Sequence, residues 1–360
     1  MSRYRFCPKC GKRADDKKDA LYCGKCGFIL YKNPIPAVLA VIYNDKGEVL
    51  LGKRSVEPVG KWAIIGGFLE AGELPDVGLR QEVKEELGAE IEIGEMLEMR
   101  IDNYVFDPEA GKSVLVISYL SKLKNDFETK DENSELKWFS EHAVPWNEIA
   151  SEVHKEILKE FFEKLSRMSS RAPAILPERG DLTKTSKIAS PPMATRNDKK
   201  EVFYKFCPKC GGDLDNLKCQ NCGFVFYQNS RPTAGIVILN DKNQVLLMKR
   251  AADSRIGKWS LPGGFLENFE TPEEAVLRET KEEIDVEVQI ENFLLFSISK
   301  YIYEGGGYVL PIHFRGRIKS GEPKPTKFAS EVRWFDRKDI PWDDIAFESN
   351  KKALKKVFEK

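Results

Sequence analysis

The sequence predicts an α/β protein made of two successive domains, each a mixed sheet covered by helices and each preceded by a small cysteine module. Three observations lead there. Long segments of the 360-residue chain align with one another in the same order. Within each copy, strand-like apolar runs are interspersed with helical patterns, which argues for a sheet covered by helices and against a helix bundle. All eight cysteines fall into four C-x-x-C pairs, two per copy.

The repeat is legible at four places. FCPKCG stands at 6 and 206, IGGFLEAGELPDVGLRQEVKEE at 65 answers PGGFLENFETPEEAVLRETKEE at 262, LKWF at 136 answers VRWF at 332, and VPWNEIA at 144 answers IPWDDIA at 340. A chain of this length can bury two cores. The reading divides it into a cysteine module at 1–33, a first domain at 34–165, a linker at 166–200, a second module at 201–230 and a second domain at 231–360. The linker stretch is rich in Ser, Pro, Ala and charge and has no apolar periodicity.

Hydrophobic residues at 41% and charged residues at 32% give the profile of a soluble globular protein. Lys+Arg and Asp+Glu both number 57, so no global field draws the chain to nucleic acid or to an anionic membrane. Any phosphate must be bound locally. The longest apolar runs, such as PAVLAVIY at 36–43, fall short of a membrane span and suit buried strands. The opening MSRYRFCPKC holds no apolar signal core, and the expectation is a cytoplasmic protein with reduced thiols.

Cys7, Cys10, Cys23 and Cys26 form the first module, and Cys207, Cys210, Cys219 and Cys222 the second. A glycine follows each pair, which suits the tight knuckle that lets two thiolates converge on one tetrahedral ion. Disulfides conflict with the expected compartment, and a redox pair does not need four cysteines. The expectation is two structural Zn²⁺ sites. Four thiolates leave no open position, so neither zinc should catalyse.

Strand runs follow, among them TAGIVIL at 233–239 and QVLLM at 244–248. Thr271, Pro272 and Glu274 then spell a helix start, with Thr as cap, Pro in the first turn and Glu closing a capping box. On that helix Glu279, Glu282 and Glu283 stand at i, i+3 and i+4, so their carboxylates share a face. Taken alone, that reads as a solvated acidic face. Gly263 and Gly264 in front of it change the weighting, because side-chain-free residues let the backbone approach a ligand closely. Like charges held together call for a hard divalent cation, Mg²⁺ or Mn²⁺. The closing helix of the first copy carries Val153, Ile157, Leu158, Phe161, Phe162 and Leu165 at helical spacing.

The glycine-glutamate segment resembles the signature of the Nudix hydrolases, G-x5-E-x7-R-E-U-x-E-E-x-G-U with U aliphatic. The second copy matches at Gly264, Glu270, Arg278, Glu279, Glu282 and Glu283, with Val286 closing; Thr280 replaces an aliphatic residue and Asp285 the final glycine. The resemblance implies two α/β/α sandwiches and Mg²⁺-dependent hydrolysis of a nucleoside diphosphate linked to another moiety. By it, Gly264, Glu279, Glu282 and Glu283 serve the metal, Glu282 or Glu283 also acts on water, Arg278 braces the carboxylates, and Glu331 is the candidate for a further carboxylate. Arg250, Gly263 and Tyr301 are the candidates for substrate contact.

The first copy keeps Gly67, Glu73, Glu82, Glu85, Glu86 and Gly88, so Glu82, Glu85 and Glu86 are a second metal set. Gln81 replaces the arginine, while Arg80 lies one residue earlier, turned by about 100°. Leu74 replaces the capping Thr, Gly78 replaces Ala275, and Ile65 replaces Pro262. Cap and glycine should each weaken the helix by roughly 1 kcal/mol. The second copy is therefore the expected principal site, and the fused pair is expected to form within one chain the interface of a dimer.

The cysteine module ahead of Y-x-N, at Tyr31 to Asn33 and Tyr227 to Asn229, resembles the zinc-ribbon branch of the family, which includes NADH, ADP-ribose and FAD pyrophosphatases. The S-Q-P-W-P-F-P run of NADH-type members is absent, which favours ADP-ribose or a similar derivative. Tyr301, Tyr303 and Tyr308 offer rings for a base, though such positions are more often packing. Competing readings are clean-up of nucleoside triphosphates and a non-catalytic module that binds nucleotide or nucleic acid. The three histidines, His142, His154 and His313, are not needed by the chemistry.

Overall fold

The computed structural model describes residues 4–17, 20–102, 113–129, 133–170, 204–226, 229–252, 254–300 and 307–359. The stretch read as a linker from 166 overlaps the last turn of the first copy's closing helix, which runs to Ser170; its remainder, 171–200, and Tyr301 and Tyr303 lie outside the described residues. In the first cysteine module β1 (Asp15–Asp16), β2 (Ala20–Tyr22) and β3 (Ile29–Tyr31) form a small antiparallel sheet. Then come β4 (Ile35–Ile42), β5 (Val49–Arg54), β6 (Trp62–Ala63), β7 (Ile65–Phe68) and α1 (Pro75–Leu87). The copy closes with β8 (Ile91–Asp102), β9 (Val114–Leu123), β10 (Asn133–Phe139) and α2 (Glu152–Ser170).

The second copy repeats this order. Its module holds β11 (Leu214–Asp215) and β12 (Lys218–Cys219). It continues with β13 (Arg231–Ile238), β14 (Val245–Arg250), β15 (Trp259–Ser260), β16 (Gly263–Phe265) and α3 (Pro272–Ile284). β17 (Glu287–Phe296), β18 (Ser299–Lys300), β19 (Tyr308–Ser320), β20 (Ala329–Phe335) and α4 (Glu348–Val357) complete it.

Each copy has a mixed sheet, ordered β7-β4-β9-β8 and β16-β13-β19-β17, in which β4/β9 and β13/β19 run parallel. A smaller antiparallel sheet, β10-β5-β6 or β15-β14-β20, stands beside it. Strand β4 reads as a continuous apolar run because helices cover both its faces. Val38, Ala40 and Ile42 pack with Leu79, Val83 and Leu87 of α1, whereas Ala37, Leu39 and Val41 pack with Ile157, Leu158, Phe161 and Phe162 of α2. The period of two along the strand thus feeds two cores. In the second copy Ala234, Ile236 and Ile238 face α3, and Val237 and Leu239 face α4. The expected helix-sheet-helix layering is therefore present in both copies.

The core beneath α1 and α3 is continuous through both copies. Hydrogen bonds also cross between them. Asn33 Nδ2 donates to the Leu266 carbonyl at 2.8 Å and Asn229 Nδ2 to the Leu69 carbonyl at 2.9 Å. The cysteine modules pair likewise: the amides of Arg5 and Phe6 donate to the Pro208 carbonyl at 2.8 and 2.9 Å, and those of Lys205 and Phe206 to Pro8 at 2.9 and 3.0 Å. Gly11, at φ +69°, lies against the Phe206 ring, and Gly211, at φ +77°, against Phe6; a Cβ at either would stand 2.9 Å from the ring. Among the described residues no helix is long and apolar enough to cross a membrane.

Candidate active site and zinc centres

Each module gathers its four sulfurs within 4.8 Å of one another. Cys7 Sγ and Cys26 Sγ are 3.7 Å apart, Cys10 and Cys23 3.6 Å, Cys207 and Cys222 3.8 Å, and Cys210 and Cys219 3.4 Å. Thiolates at the ordinary zinc–sulfur distance of about 2.3 Å from a tetrahedral centre stand about 3.8 Å apart. The donor set therefore fits zinc, and all eight cysteines are unbridged.

Helix α3 begins as its sequence reads. The Glu274 amide donates to Thr271 Oγ1 at 3.2 Å and the Thr271 amide to Glu274 Oε2 at 2.9 Å, a complete capping box, with Pro272 in the first turn. At the other end Asp285 adopts the left-handed conformation at φ +57° where the first copy uses Gly88. Lys281 and Lys324 bond its carboxylate at 2.5 and 2.6 Å and hold its pKa down to about 2.

The helix presents its glutamates to the glycine strand, and Arg278 ties them together. Arg278 Nε and Nη2 donate to the two oxygens of Glu270 at 2.7 and 2.8 Å, Nη1 donates to Glu279 Oε1 at 2.7 Å, and Nη2 also reaches the Phe265 carbonyl at 3.0 Å. Such bidentate, charge-assisted bonds fix direction as well as energy. Burial alone would lower the Arg278 pKa, but Glu270 and Glu279 outweigh it and raise it. Burial raises the Glu279 pKa against the pull of Arg278. Glu283, buried, accepts from the Gly263 amide at 2.9 Å. Glu282 is half-exposed, 3.7 Å from Arg278 Nη1.

The glycines make this approach possible. Gly263 has φ +145°, and a Cβ there would collide with the Ala234 carbonyl; a Cβ on Gly264 would collide with the Glu279 carboxylate. Among the described residues, only the cysteine sets bring three or more ligand atoms within 4.8 Å of each other. The α3 carboxylates are instead spread over two partners, Glu279 and Glu282 on the Arg278 guanidinium and Glu283 on the Gly263 amide. Mg²⁺ suits such an arrangement, since it takes few protein carboxylates and fills its remaining positions with water and substrate phosphate.

The first copy is braced differently. Leu74 offers no side-chain cap to α1. Arg80 turns away to the Ile91 carbonyl at 2.7 Å, and Gln81 reaches only Glu85, at 3.1 Å. Glu86 accepts from the Gly66 amide at 3.1 Å and from Asn133 Nδ2 at 2.5 Å. Strand register puts Ala329 where the first copy has Asn133, and Met248 where it has Gly52. Gly52 leaves the space that Asn133 fills. Gly78 also needs a different account from helix propensity, because a Cβ there would collide with Leu69 and stand 2.9 Å from Glu73 Oε2. The glycine answers close packing. Ile65 extends β7 by one residue, paired with Ala40, where Pro262 has no amide to donate.

Two candidate positions have other engagements. Glu331 sits on β20 opposite Lys249 and ion-pairs with Arg333, a strand neighbour. Arg250 Nε donates to the Ser254 carbonyl at 2.7 Å and its guanidinium lies over the Phe347 ring. Tyr301 lies outside the described residues, and Tyr308 packs against Gly72 of the first copy. Two of the histidines have structural partners: His154 Nδ1 accepts from the Ile64 amide at 3.1 Å, and His313 Nε2 lies 3.3 Å from Asn350 Nδ2, whose Oδ1 accepts from the Leu261 amide at 3.2 Å. Burial, with Arg54 adding for His154, pushes both histidines down to about 4. Each copy thereby tethers the strand before its glycines to its last helix. Sequence reasoning missed Asn133, and it read Asn33 and Asn229 only as part of a motif.

The NUDIX domain model matches residues 33–161 and 229–357. The chain is 26% identical over 172 residues to the NAD-capped RNA hydrolase NudC of Vibrio atlanticus, covering 46% of this chain and 60% of that protein. It is 37% identical over 114 residues to the ADP-ribose pyrophosphatase of Methanocaldococcus jannaschii, covering 32% of this chain and 66% of that protein. Against NudC of Vibrio vulnificus the matched region spans 52% of the relative's length. A NUDIX hydrolase structure from Nitrosomonas europaea aligns with 49% of this chain and 97% of its own, at 30% identity and a TM-score of 0.40. With its domain matched twice over most of its length, the chain belongs to the Nudix family.

Proposed function

We propose that the protein hydrolyses the diphosphate bond of a nucleoside diphosphate linked to another moiety, with an ADP-ribose-like substrate and the second copy as principal site. The observation that carries this is the Arg278 bridge between Glu270 and Glu279, which the first copy lacks. The names of the relatives point the same way, since ADP-ribose and the NAD cap both carry a diphosphate beside adenosine. They also keep an NAD-type substrate as the second reading, despite the missing S-Q-P-W-P-F-P run.

Glu279, Glu282, Glu283 and the Gly264 backbone are the groups to hold Mg²⁺ or Mn²⁺. Such an ion, when bound there, would supply charge neutralisation for the diphosphate and lower the pKa of a water. Glu283 is committed to the Gly263 amide, so Glu282, half-exposed, is assigned to orient or deprotonate that water. Glu82, Glu85 and Glu86 form the weaker or differently selective counterpart. Glu282→Gln should lower kcat by about 10²- to 10⁴-fold, as loss of a general base does, and Glu85→Gln much less. The assay is a panel of ADP-ribose, NAD, NADH, FAD, nucleotide sugars and triphosphates with Mg²⁺, products identified by mass. The reverse ranking would move the principal site to the first copy. Turnover of triphosphates alone would favour clean-up, and an RNA mobility shift without any turnover would favour the binding module.

We infer also that the two copies form a dimer-like pair within one chain. The crossing bonds of Asn33 and Asn229 and the shared core support it. The full chain should then scatter light as a monomer of 41.0 kDa; a tight dimer would contradict it.

A further inference from the structure

We propose that Ser113, in the first copy, is a positioning residue for the carboxylates of the second, acting through Phe269. The proposal rests on the functional reading above and adds to it that the second site is incomplete without the first copy.

The segment entering α3 is Glu267-Asn268-Phe269-Glu270, closed by a bond from the Glu267 amide to Glu270 Oε2 at 2.8 Å. Phe269 lies at φ +68°, a conformation that a bulky side chain adopts only when something holds it. The residue is 49% exposed, so packing does little to hold it. What holds the backbone comes from the other copy. The Phe269 amide donates to Ser113 Oγ at 2.9 Å, and Asn268 Oδ1 accepts from the Ser113 amide at 2.7 Å and from its hydroxyl at 3.0 Å. The hydroxyl thus uses its one donor and one of its two acceptor lone pairs at once. Ser113 is fully buried, and its carbonyl accepts from the Ile35 amide at 2.9 Å, which anchors it to the first copy's sheet.

From Phe269 the path to the chemistry is short. The next residue, Glu270, takes two bonds from Arg278, and Arg278 orients Glu279. A shift of the Phe269 backbone therefore displaces a carboxylate assigned to the metal. The first copy supplies a comparison: Gly72 stands at the place of Phe269, at φ +85°, which glycine adopts without strain. Its amide also donates to a serine hydroxyl of the other copy, Ser230 Oγ, at 2.9 Å. Ser230 and Ser113 occupy unrelated positions, since Tyr308 stands at the register place of Ser113. Two different serines reach the same amide in opposite directions, which an incidental contact does not explain.

The test is a double-mutant cycle in the full chain, with the turned-over substrate and Mg²⁺. Ser113→Ala should lower kcat roughly tenfold, as misplacement of reacting groups does, with KM changed less than about twofold. Asn268→Ala, which removes bonds from the other side, should do the same. In a Phe269→Gly background, Ser113→Ala should have under about a twofold effect, because glycine no longer needs the strain held. Equal effects in both backgrounds, or a kcat unchanged in both Ser113→Ala and Asn268→Ala, would overturn the proposal. Glu282→Gln run in parallel separates the two readings: if it abolishes turnover while Ser113→Ala and Asn268→Ala do nothing, only the positioning role fails.

Discussion

Arg278→Ala should cost the second copy both stability and rate. The arginine is 23% exposed, and it separates Glu270 from Glu279, themselves 12% and 13% exposed. Without it two carboxylates share a poorly solvated space, and breaking such a pair costs about 3 kcal/mol. For a domain of this size that is roughly 10 °C in Tm. The rate should fall about a hundredfold, because Glu279 loses its direction. The pH dependence gives a sharper check. Burial raises the Glu279 pKa and Arg278 opposes the rise, so removing the arginine raises it further. Glu279 must be ionised to serve a cation, and the acid limb of the kcat/KM profile should move to higher pH. A lower rate with an unmoved acid limb would mean that Arg278 does not act through Glu279.

Zinc removal should have the other large effect. The modules share one small apolar cluster, with Tyr4, Leu21, Phe28 and Leu30 from the first and Phe226 from the second. So small a core does not fold alone, whereas a structural zinc contributes on the order of 10 kcal/mol or more to such modules. A zinc-selective chelator with Mg²⁺ kept in excess should release two zinc ions per chain and expose the Phe6 and Phe206 amides to hydrogen exchange. Cys207→Ser should weaken zinc binding in the first module too, since Phe206 rests on Gly11. Turnover should fall roughly tenfold, because Asn33 follows β3 by two residues and holds the Leu266 carbonyl beside the glutamate loop. Full activity in protein shown to be zinc-free would separate the modules from the site.

The features written in local spacing were legible in the sequence. Cysteine spacing gave the two four-sulfur clusters, helical spacing put Glu279, Glu282 and Glu283 on one face, and Thr271 with Glu274 announced the capping box. What stayed hidden depends on partners far along the chain. Ser113 and Asn268 are 155 residues apart, and no periodicity connects them. The Asn133 bond to Glu86 needs Gly52 to clear its space. Arg250 and Glu331 lie near the right motifs, but Ser254, Phe347 and Arg333 decide where they point. Gly78 was misjudged for the same reason: propensity counts a glycine as lost helix stability, while Leu69 needs the space.

The serine clamps also bear on how such a chain can change over generations. In an assembly of two identical subunits every substitution appears on both sides of the axis, so a large residue at the clamp must tolerate its own image. Joining the copies lifts that constraint. Here one direction pairs a serine with phenylalanine, while the other pairs a serine from a different position with glycine and lays Tyr308 over it. The halves have become complementary and cannot be exchanged. Two second copies joined together would set Tyr308 against Phe269, and two first copies would set Ser113 against a glycine that has no strain to hold.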